Sequence, residues 1–523
     1  MNSTSITFRQ KRELYKTSIN RRKYNKFKKD IENDKTNNYQ IQRSFISASI
    51  NRLTQDFLSS QNSINSDLFN SLDKTRGRSR EAYLNNDHYR RFIKRYKTGV
   101  VGAQGFTLAS KAKNEKGSID KDAVYKIEEG WKDFCKQQNF SVCKSVSFHA
   151  FCLISQTQKR RDGEIFARKV RGFENSYRFA IQIIEPHYLD ETYNEDLANG
   201  NCIRNGIEFN KWGERIAYHF SEYPKNENIN NNMQKYGKKI PVSADEIIHH
   251  FNKDEFSQNR GYPDAQQTLL DIHNLKGTNS AEVIKKRVAS NHMGFVIPPP
   301  GEEYNGDGKN ADGTIDFEVE GGMMKTLPHG STVAEFKPED KGDGNSTFNK
   351  LMLKQMSVGS GLSYHSLSGD YDGLNKEALR DLTINDRDEF KLEQTVFICD
   401  VIDNIFEEWL KFALLTKKIN LPFAKLENFL PHEFLPRAFD PINELEEAQA
   451  NDISINNATK SRTKINRARN VDQDEIFADL SKEEKDSQAA QVPLRNQGGT
   501  ASMNLLNDAP KPKPSDTPKE QKK

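Results

Sequence analysis

The chain has 523 residues, of which 35% are hydrophobic, and its 78 lysines and arginines nearly balance 74 aspartates and glutamates to give a net charge of +4. This length predicts about three domains with a substantial hydrophobic core. Charged residues interrupt the apolar stretches, and no apolar signal segment follows the first methionine, so we expect no membrane association. The five cysteines include no Cys-x-x-Cys pair and are expected to be reduced packing residues.

The two ends of the chain differ in composition from the rest. Residues 1–43 contain twelve lysines and arginines against four acidic residues, with few large aliphatic side chains. This composition is typical of a solvated, partly disordered arm, and a dedicated nucleic-acid arm is the alternative. Residues 491–523 are rich in Pro, Gln, Asn, Lys and Gly and are predicted to be disordered.

The region after the arm predicts a helix and then a set of strands. A helix is expected to start at about Arg76 and to end at the glycines of residues 99–102. From Phe148 to Tyr223 the pattern favours β structure, because short runs rich in β-branched and aromatic residues alternate with turn signals. The predicted strands are 164–170, 179–184 and 216–220, with a hairpin at 206–213 that leads into the last of them.

Acidic and histidine residues follow these strands and raise the question of a metal site. Asp245, Glu246, His249 and His250 are the residues that a metal-dependent nuclease would use. A strand would point the two histidines to opposite faces, and they lack the His-x-x-x-His spacing with which two imidazoles share one metal. We therefore predict no metal and no cofactor here, and a metal-dependent nuclease remains an alternative function.

Two long helices are predicted on either side of an insert rich in glycine and proline. The first starts at Pro263, which suits the first turn of a helix, and the second covers Phe348 to Leu362. Three cations on the first helix could contact DNA phosphates, although a solvated helix face explains them equally well. They are Lys285, Lys286 and Arg287.

A polar loop separates the second of these helices from the longest predicted helix of the chain. From Lys376 to Leu415 no proline or glycine occurs and apolar residues recur at helical spacing, which predicts a rod of about 60 Å. Acidic residues crowd its first half, so we expect one narrow stripe to pack. The preceding loop reads Leu367-Ser368-Gly369-Asp370-Tyr371-Asp372-Gly373-Leu374-Asn375.

These residues resemble the portal proteins of tailed bacteriophages, specifically the lambda-like portal family. Family members carry a Leu-Ser-Gly-Asp-Tyr-Ser stretch before an Asn-Tyr-Ser-Ser-Ala-Arg-like helix start, and 367–371, Asn375 and Arg380 stand in matching places. Lys376-Glu377-Ala378 replaces the Tyr-Ser-Ser. The family's Arg-x-Arg and Asn-Asn helix, followed by Val-Val-Gly, is similar to residues 78–102.

The resemblance implies an α+β portal fold with a mixed α/β wing, a two-helix stem, a small β-containing clip, a tunnel loop with a long helix, and an α-helical crown. It also implies that Ser368 to Lys376 projects into a central channel as the tunnel loop. The implied segments are a basic arm (1–70), the wing (71–262), the first stem helix (263–297), the clip (298–346), the second stem helix (347–366), the tunnel loop (367–376), the long wing and channel helix (377–420), the crown (421–490) and the tail (491–523).

The function implied by the resemblance is a ring, dodecameric in the family, at one vertex of a phage head. Such a ring would initiate capsid assembly, conduct double-stranded DNA without sequence specificity, and contact the terminase large subunit, the major capsid and scaffold proteins and the neck proteins. It would be assembled in the cytoplasm of the bacterial host and reside in the virion. The sequence contains no phosphate-binding loop and no catalytic constellation, so we predict that the protein is not an enzyme. A scaffold or adaptor that does not close into a ring is a further alternative.

Overall fold

The computed structural model describes residues 17, 21–23, 25–26, 62–224, 238–290, 294–297, 332–335, 344–469 and 473–490. The chain divides into two compact units, Met1–Asn62 and Ser63–Lys523. In the first unit the few described residues before Asn62 are helical, and the second unit contains all the elements named below. Most of the predicted arm and clip, and all of the predicted tail, lie outside the described residues.

The second unit contains both helices and sheets, which confirms the predicted mixture of the two. Its helices are α1 (Ile64–Asn85), α2 (Asp87–Val100), α3 (Lys121–Phe134), α4 (Gln137–Phe140), α5 (Phe148–Asp162), α6 (Leu269–Ser290), α7 (Gly344–Ser360), α8 (Tyr364–Ser368), α9 (Lys376–Phe397), α10 (Asp403–Leu415), α11 (Leu426–Phe429), α12 (Glu444–Asn456), α13 (Arg462–Ala468) and α14 (Gln473–Ala490). Its strands are β1 (Thr107–Ser110), β2 (Glu164–Arg171), β3 (Phe179–Ile184), β4 (Glu195–Asp196), β5 (Cys202–Arg204), β6 (Ile207–Phe209), β7 (Arg215–Ser221), β8 (Lys239–Ser243), β9 (Ile247–Phe251), β10 (Gly294–Ile297), β11 (Thr332–Glu335) and β12 (His432–Leu435). None of the helices in these described segments is both long and apolar enough to cross a membrane.

Two helices, α1 and α2, replace the single helix predicted after the arm. The first begins at Ile64, well before the predicted start, directly after its capping residue Ser63. Asn86 separates the two helices with an extended backbone, and its side chain accepts a hydrogen bond from the Tyr89 amide at 2.9 Å. Asparagine ends one helix and starts the next here because its short side chain satisfies an amide that the helix leaves free.

The prediction of β structure from Phe148 onwards is wrong for the first fifteen residues, which form helix α5. Ser147 caps this helix by accepting a hydrogen bond from the Ala150 amide at 3.3 Å, and Gly163 ends it with a left-handed φ of 92°. A Cβ at Gly163 would lie 2.3 Å from the backbone of Tyr262, so only glycine fits this turn. These end signals outweigh the aromatic-rich composition that suggested strands.

The strands predicted after this helix are present and form two antiparallel sheets. The first sheet has the order β3-β2-β9 and the second the order β4-β5-β6-β7-β8. The predicted hairpin is β6 with β7, whose register shifts between Glu208 and Phe209. A small core between the two sheets contains Phe166, Tyr218 and Phe220.

The main hydrophobic core lies among the helices and is built on aromatic side chains. The rings of Trp131 on α3 and Trp409 on α10 have centroids 5.0 Å apart and an interplanar angle of 72°, close to the favoured edge-to-face geometry. Phe406 of α10 and Phe434 of β12 both contact Trp131. This core therefore joins the end of the long helical rod to helices from the first third of the chain.

The first of the two long helices starts later than predicted. Pro263 lies in a turn, where its carbonyl accepts a hydrogen bond from the Gln266 amide at 3.0 Å, and α6 begins only at Leu269. The helix runs to Ser290, and residues 294–297 pair with β11 as strand β10. The β-branched run Val296-Ile297 suits a strand.

The second long helix and the rod also differ in detail from the prediction. Helix α7 ends at Ser360 because Gly361 adopts a left-handed φ of 69°, and the residues that follow form the separate short helix α8. The predicted rod is present from Lys376 to Leu415, but Ile398–Ile402 form a π-helical turn between α9 and α10. Such a turn accommodates one extra residue without ending the rod.

Candidate functional site

The loop that the sequence singles out is divided between two helices and the turn that joins them. Ser368 is the last residue of α8, Lys376 is the first of α9, and residues 369–375 form the turn. Asn375 caps α9, because its side chain accepts a hydrogen bond at 2.7 Å from a backbone amide in the first turn of that helix. The turn therefore starts and ends at defined helix termini.

Asp370 organises the inside of this turn. Its carboxylate accepts hydrogen bonds from the Asp372 amide at 3.0 Å and from the Tyr364 hydroxyl at 2.9 Å, and it lies 3.3 Å from the Lys350 ammonium. The hydrogen bond from the Asp372 amide, followed by those from Tyr364 and Lys350, lowers the pKa of Asp370. The carboxylate is thus a fixed negative charge that draws the turn toward α7.

The outer part of the turn is open to solvent. Tyr371 is 53% exposed, and Asp372 and Gly373 are exposed beside it. Gly373 has a left-handed φ of 73°, and a Cβ there would meet no atom within 4 Å. Leu374, by contrast, is half-buried, and its amide bonds to the Tyr371 carbonyl at 3.4 Å. Residues 371–373 are therefore the part of the turn that is presented outward.

The rod holds the helix before the turn through one buried carboxylate. Asp386 of α9 accepts hydrogen bonds from the Ser363 amide at 2.8 Å and from the Ser363 hydroxyl at 3.0 Å, and also from the Ser366 hydroxyl. Asp386 and Ser366 are buried. These bonds fix the start of α8 on the side of α9, so the turn between them has a defined position.

The positive charge around the turn comes from other helices and not from the turn itself. The turn and its flanks carry Asp370 and Asp372 against the single cation Lys376. On α2, Arg91 donates to the Ser366 carbonyl at 2.8 Å and Arg95 donates to the Ser366 hydroxyl at 3.2 Å. These arginines were not predicted from the sequence to lie near the turn. The feature that could have identified them is the run of five cations with one acid in α2.

The predicted basic trio Lys285–Arg287 lies farther along the same pair of helices that contacts the turn. Asn349 of α7 donates a hydrogen bond to Asn279 of α6 at 2.8 Å, and the next residue, Lys350, lies 3.3 Å from Asp370 of the turn. The trio begins six residues, about 9 Å, beyond Asn279 along α6. There Arg287 lines a groove with Asp87, at the junction of α1 and α2. Contact of the trio with DNA stays a prediction.

The residues of the alternative metal site do not converge on one point. The Nε2 atom of His249 lies 3.0 Å from Glu164 on one face of β9, and the Nδ1 atom of His250 lies 2.9 Å from Asp400 on the other. This confirms the prediction that the two histidines point to opposite faces. Within the described residues, no group of three or more His, Cys, Asp and Glu side chains could hold a metal ion.

The two acids of that alternative site are engaged separately. Asp245 lies 2.9 Å from Arg171, and Glu246 lies 2.8 Å from Arg168. Both pairs are partly exposed, and both arginines belong to β2, the central strand of the first sheet. The four residues named for a nuclease thus have four different partners, which removes the geometric basis for placing one metal among them.

His249 instead belongs to a buried charge network centred on Glu164. Arg76 of α1 and Arg260 each donate to Glu164 at 2.6 Å. Burial alone would raise the pKa of Glu164, but the charges of Arg260 and Arg76 hold it well below its usual range. Burial lowers the pKa of His249 to about 3, so the imidazole is neutral near pH 7. The network is structural, because it joins α1 to the first sheet.

Comparison with known protein families identifies the chain. The family described as "Phage portal protein, lambda family" matches residues 51–394, which extend from before α1 through most of α9 and include the turn. The chain belongs to the lambda family of phage portal proteins. This confirms the family predicted from the loop and helix motifs, and the family is one of structural proteins of phage particles.

Individual relatives agree with this assignment. The probable portal protein of Halomonas phage phiHAP-1 is 28% identical over 452 residues, covering 85% of this chain and 86% of that protein. Portal protein B of Escherichia phage lambda is 20% identical over 406 residues, covering 70% of this chain and 74% of that protein.

A solved structure titled "Neck of empty GTA particle computed with C6 symmetry" contains a similar chain. Its TM-score is 0.40 and its identity is 11%, with coverage of 80% of this chain and 98% of that one. A second, titled "Virion of native gene transfer agent (GTA) particle", has a TM-score of 0.39 and 9% identity over 80% of this chain and 98% of that one.

Proposed function

We propose that this protein is the subunit of a closed ring at one vertex of a phage head, through which double-stranded DNA is packaged and ejected. Residues 369–375 and the adjoining Ser368 and Lys376 form the tunnel loop of the channel. The ring initiates capsid assembly and is the docking site for the terminase large subunit and the neck proteins. The observation that carries this proposal is the family match over residues 51–394.

The geometry of the turn supports its role in the channel. A segment that contacts passing DNA must be presented outward and yet be held at its base. Residues 371–373 are exposed, whereas Ser363 and Ser366 are bound to Asp386 and the turn carboxylate Asp370 is bound to α7. This combination of a held base and an open tip suits contact with a moving polymer without tight binding.

The charges of the turn support non-specific contact only. Asp370 and Asp372 are anionic, so the turn by itself repels phosphate at short range. Such a surface limits how strongly DNA is held. We therefore infer that the turn positions DNA in the channel, while cations outside it supply the attraction.

The ring is tested by negative-stain electron microscopy and mass determination on the purified full-length chain. We expect closed rings with a central hole, dodecameric as in the family, because homo-oligomers of this kind close under cyclic symmetry. A chain that remains a compact dimer, even when capsid scaffold protein is present, would contradict the proposal. It would favour the alternative of an adaptor that does not close into a ring.

The loop is tested by replacing residues 370–374 with Gly and Ser while keeping Gly369 and Asn375, which end α8 and cap α9. We expect rings to assemble normally and DNA packaging to fall, measured as nuclease-protected DNA in phage particles. A matched control replaces the exposed residues 198–200, in the turn between β4 and β5, in the same way. Normal packaging in the loop variant would show that the turn does not contact DNA.

A metal-dependent nuclease is not favoured by any observation on the four residues named for it. Their different partners argue against a shared metal. Asp245→Ala should leave any nuclease activity of the preparation unchanged, since the residue pairs with an arginine at the end of strand β2.

A further inference from the structure

The solvent face of α2 is the most one-sidedly charged helix surface near the turn. The helix contains five cations and one acid, Asp87, and its opposite face is buried. We propose that this face binds the phosphate backbone of double-stranded DNA and supplies the attraction that the acidic turn lacks, an inference that rests on the proposed function. The five cations are Arg90, Arg91, Lys94, Arg95 and Lys97.

The outermost of these cations are not neutralised by the rest of the chain. Arg90 and Lys94 are exposed and Lys97 is partly exposed. Across the described residues, no acidic side chain forms an ion pair with any of the three. An ordinary solvated helix face mixes both signs of charge. Arg90 lies over the ring of Tyr83, with 5.9 Å between guanidinium carbon and ring centroid, and Asp87 is the one acid of the helix. A face on which cations outnumber acids and form no ion pairs is the electrostatic footprint expected for a polyanion.

The inner cations attach this face to the turn. Arg91 and Arg95 both donate to Ser366, at 2.8 and 3.2 Å, and a Cβ at Gly369 would lie 3.1 Å from the Arg91 guanidinium. The α2 face and the turn are therefore parts of one continuous surface. DNA that reaches one of them is within reach of the other.

The rear of α2 holds the face rigidly. Tyr89, Phe92, Ile93 and Tyr96 are all buried against the main core. At the crossing with α9, the ring of Phe390 lies edge-on to Tyr96 with centroids 5.4 Å apart. A rigid helix presents its cations without a further loss of backbone conformational entropy on binding.

More positive charge continues the face beyond the end of α2. Arg437 donates a hydrogen bond to the Thr98 carbonyl and lies over the ring of Phe439, with 5.1 Å between guanidinium carbon and ring centroid. Arg387 of α9 lies over the same ring at 5.3 Å. Burial, and next the charge of Arg437, lower the pKa of Arg387, while the charges of Asp440 and Glu447 oppose this change. The two guanidinium groups therefore add cations beside two acids at this end of the face.

The spacing of the outer cations suits a duplex. Arg90 and Lys97 are seven residues apart, which is about 10 Å along a helix axis. This is close to the rise of three base pairs at about 3.4 Å each. Lysine and arginine at such spacing contact phosphates and do not read bases, so the expected binding is independent of sequence.

The test uses the full-length chain and two unrelated fluorescent duplexes of about 30 base pairs, with anisotropy measured from about 50 to 200 mM salt. The variant Arg90→Gln/Lys94→Gln/Lys97→Gln is expected to bind both duplexes about tenfold or more weakly, and its salt slope should fall by about 0.9 for each phosphate that the variant no longer neutralises. A matched control, Lys116→Gln/Lys121→Gln/Lys132→Gln, removes three exposed cations before and on α3 and should bind like the wild type. Arg90→Lys keeps the charge and should also bind like the wild type.

The outcomes separate this inference from the proposed function. Equal binding by the α2 variant and its control would overturn the inference, as would a wild-type chain that binds neither duplex. Retained binding of one duplex only would also overturn it, because phosphate contacts are blind to sequence. Failure of the wild-type chain to form rings would instead contradict the proposed function. The duplex assay would still test the inference in that case, because it measures binding by α2 in any assembly state.

Discussion

The carboxylate of Asp386 on α9 accepts hydrogen bonds from both the amide and the hydroxyl group of Ser363, at 2.8 and 3.0 Å, and both bonds cross 23 positions of the sequence. The carboxylate is buried, so these bonds are not exchanged freely with water. They attach the helix before the turn to the rod after it. The position of the turn therefore depends in part on an acidic side chain outside it.

Removal of that carboxylate should loosen the turn. We expect Asp386→Ala to lower the free energy of unfolding by about 1–3 kcal/mol, because it removes the acceptor for the Ser363 amide and for two hydroxyl groups. Faster proteolysis and hydrogen exchange of residues 361–375 should accompany the loss. Asp388→Ala, at an exposed position two residues later, is the control. Equal protection in both variants would show that the turn is held by other contacts.

A second carboxylate of the rod neutralises two buried cations. The ammonium of Lys159 lies 2.7 and 2.8 Å from the two oxygens of Glu393, and Arg160 lies 2.8 Å from the same group. We expect Glu393→Ala to destabilise the protein by about 3–5 kcal/mol, because it leaves both cations buried without this partner. Thermal unfolding measures the effect. The exposed Glu389→Ala should change stability by less than about 0.5 kcal/mol.

The crossing of α2 and α9 requires a glycine. A Cβ at Gly99 would lie 2.5 Å from the ring of Phe390, so Gly99→Ala must move the two helices apart. We expect a destabilisation of about 1–3 kcal/mol, measured by thermal or urea unfolding. Gly77→Ala in α1 is the matched control, because a Cβ there meets no atom within 4 Å, and it should stabilise by about 0.5–1 kcal/mol. If both substitutions stabilised, the close packing at Gly99 would be disproved.

The burial of His249 should make the stability of the protein depend on pH. Burial lowers the pKa of His249 from 6.5 to about 3 in the folded chain, so the unfolded chain binds the proton first as the pH falls. Stability should therefore decrease as the pH falls from about 6.5 toward 3, with a limiting slope of about 1.4 kcal/mol per pH unit for this group.

The prediction is checked by measuring the midpoint of thermal or urea unfolding at several pH values between about 4.5 and 6.5. This range lies above the pH values at which protonation of carboxylates dominates the change in stability. His249→Gln should have a flatter profile than the wild type. His273→Gln, at an exposed position, should keep the wild-type slope. Parallel profiles for all three proteins would mean that His249 is not buried in neutral form.

The amino-acid sequence was sufficient for features that depend on local signals. The rod was predicted because no proline or glycine occurs from Lys376 to Leu415, and its start is marked by the capping residue Asn375. The strands at 164–170 and 179–184 were predicted from β-branched and aromatic runs. The family was identified from the loop motif because its residues are contiguous.

Tertiary structure alone decided where the charges act. Lys159 and Glu393 are 234 positions apart, and Arg91 and Ser366 are 275 apart, so no local pattern could pair them. The sequence named three cations of α6 as possible phosphate contacts, whereas the fold also places Arg91 and Arg95 of α2 and Lys350 of α7 against the acidic turn and its flanking helix. Whether a segment forms a helix depends mainly on residues that are close in the chain. A charged side chain, by contrast, acquires its partner only when packing brings distant elements together.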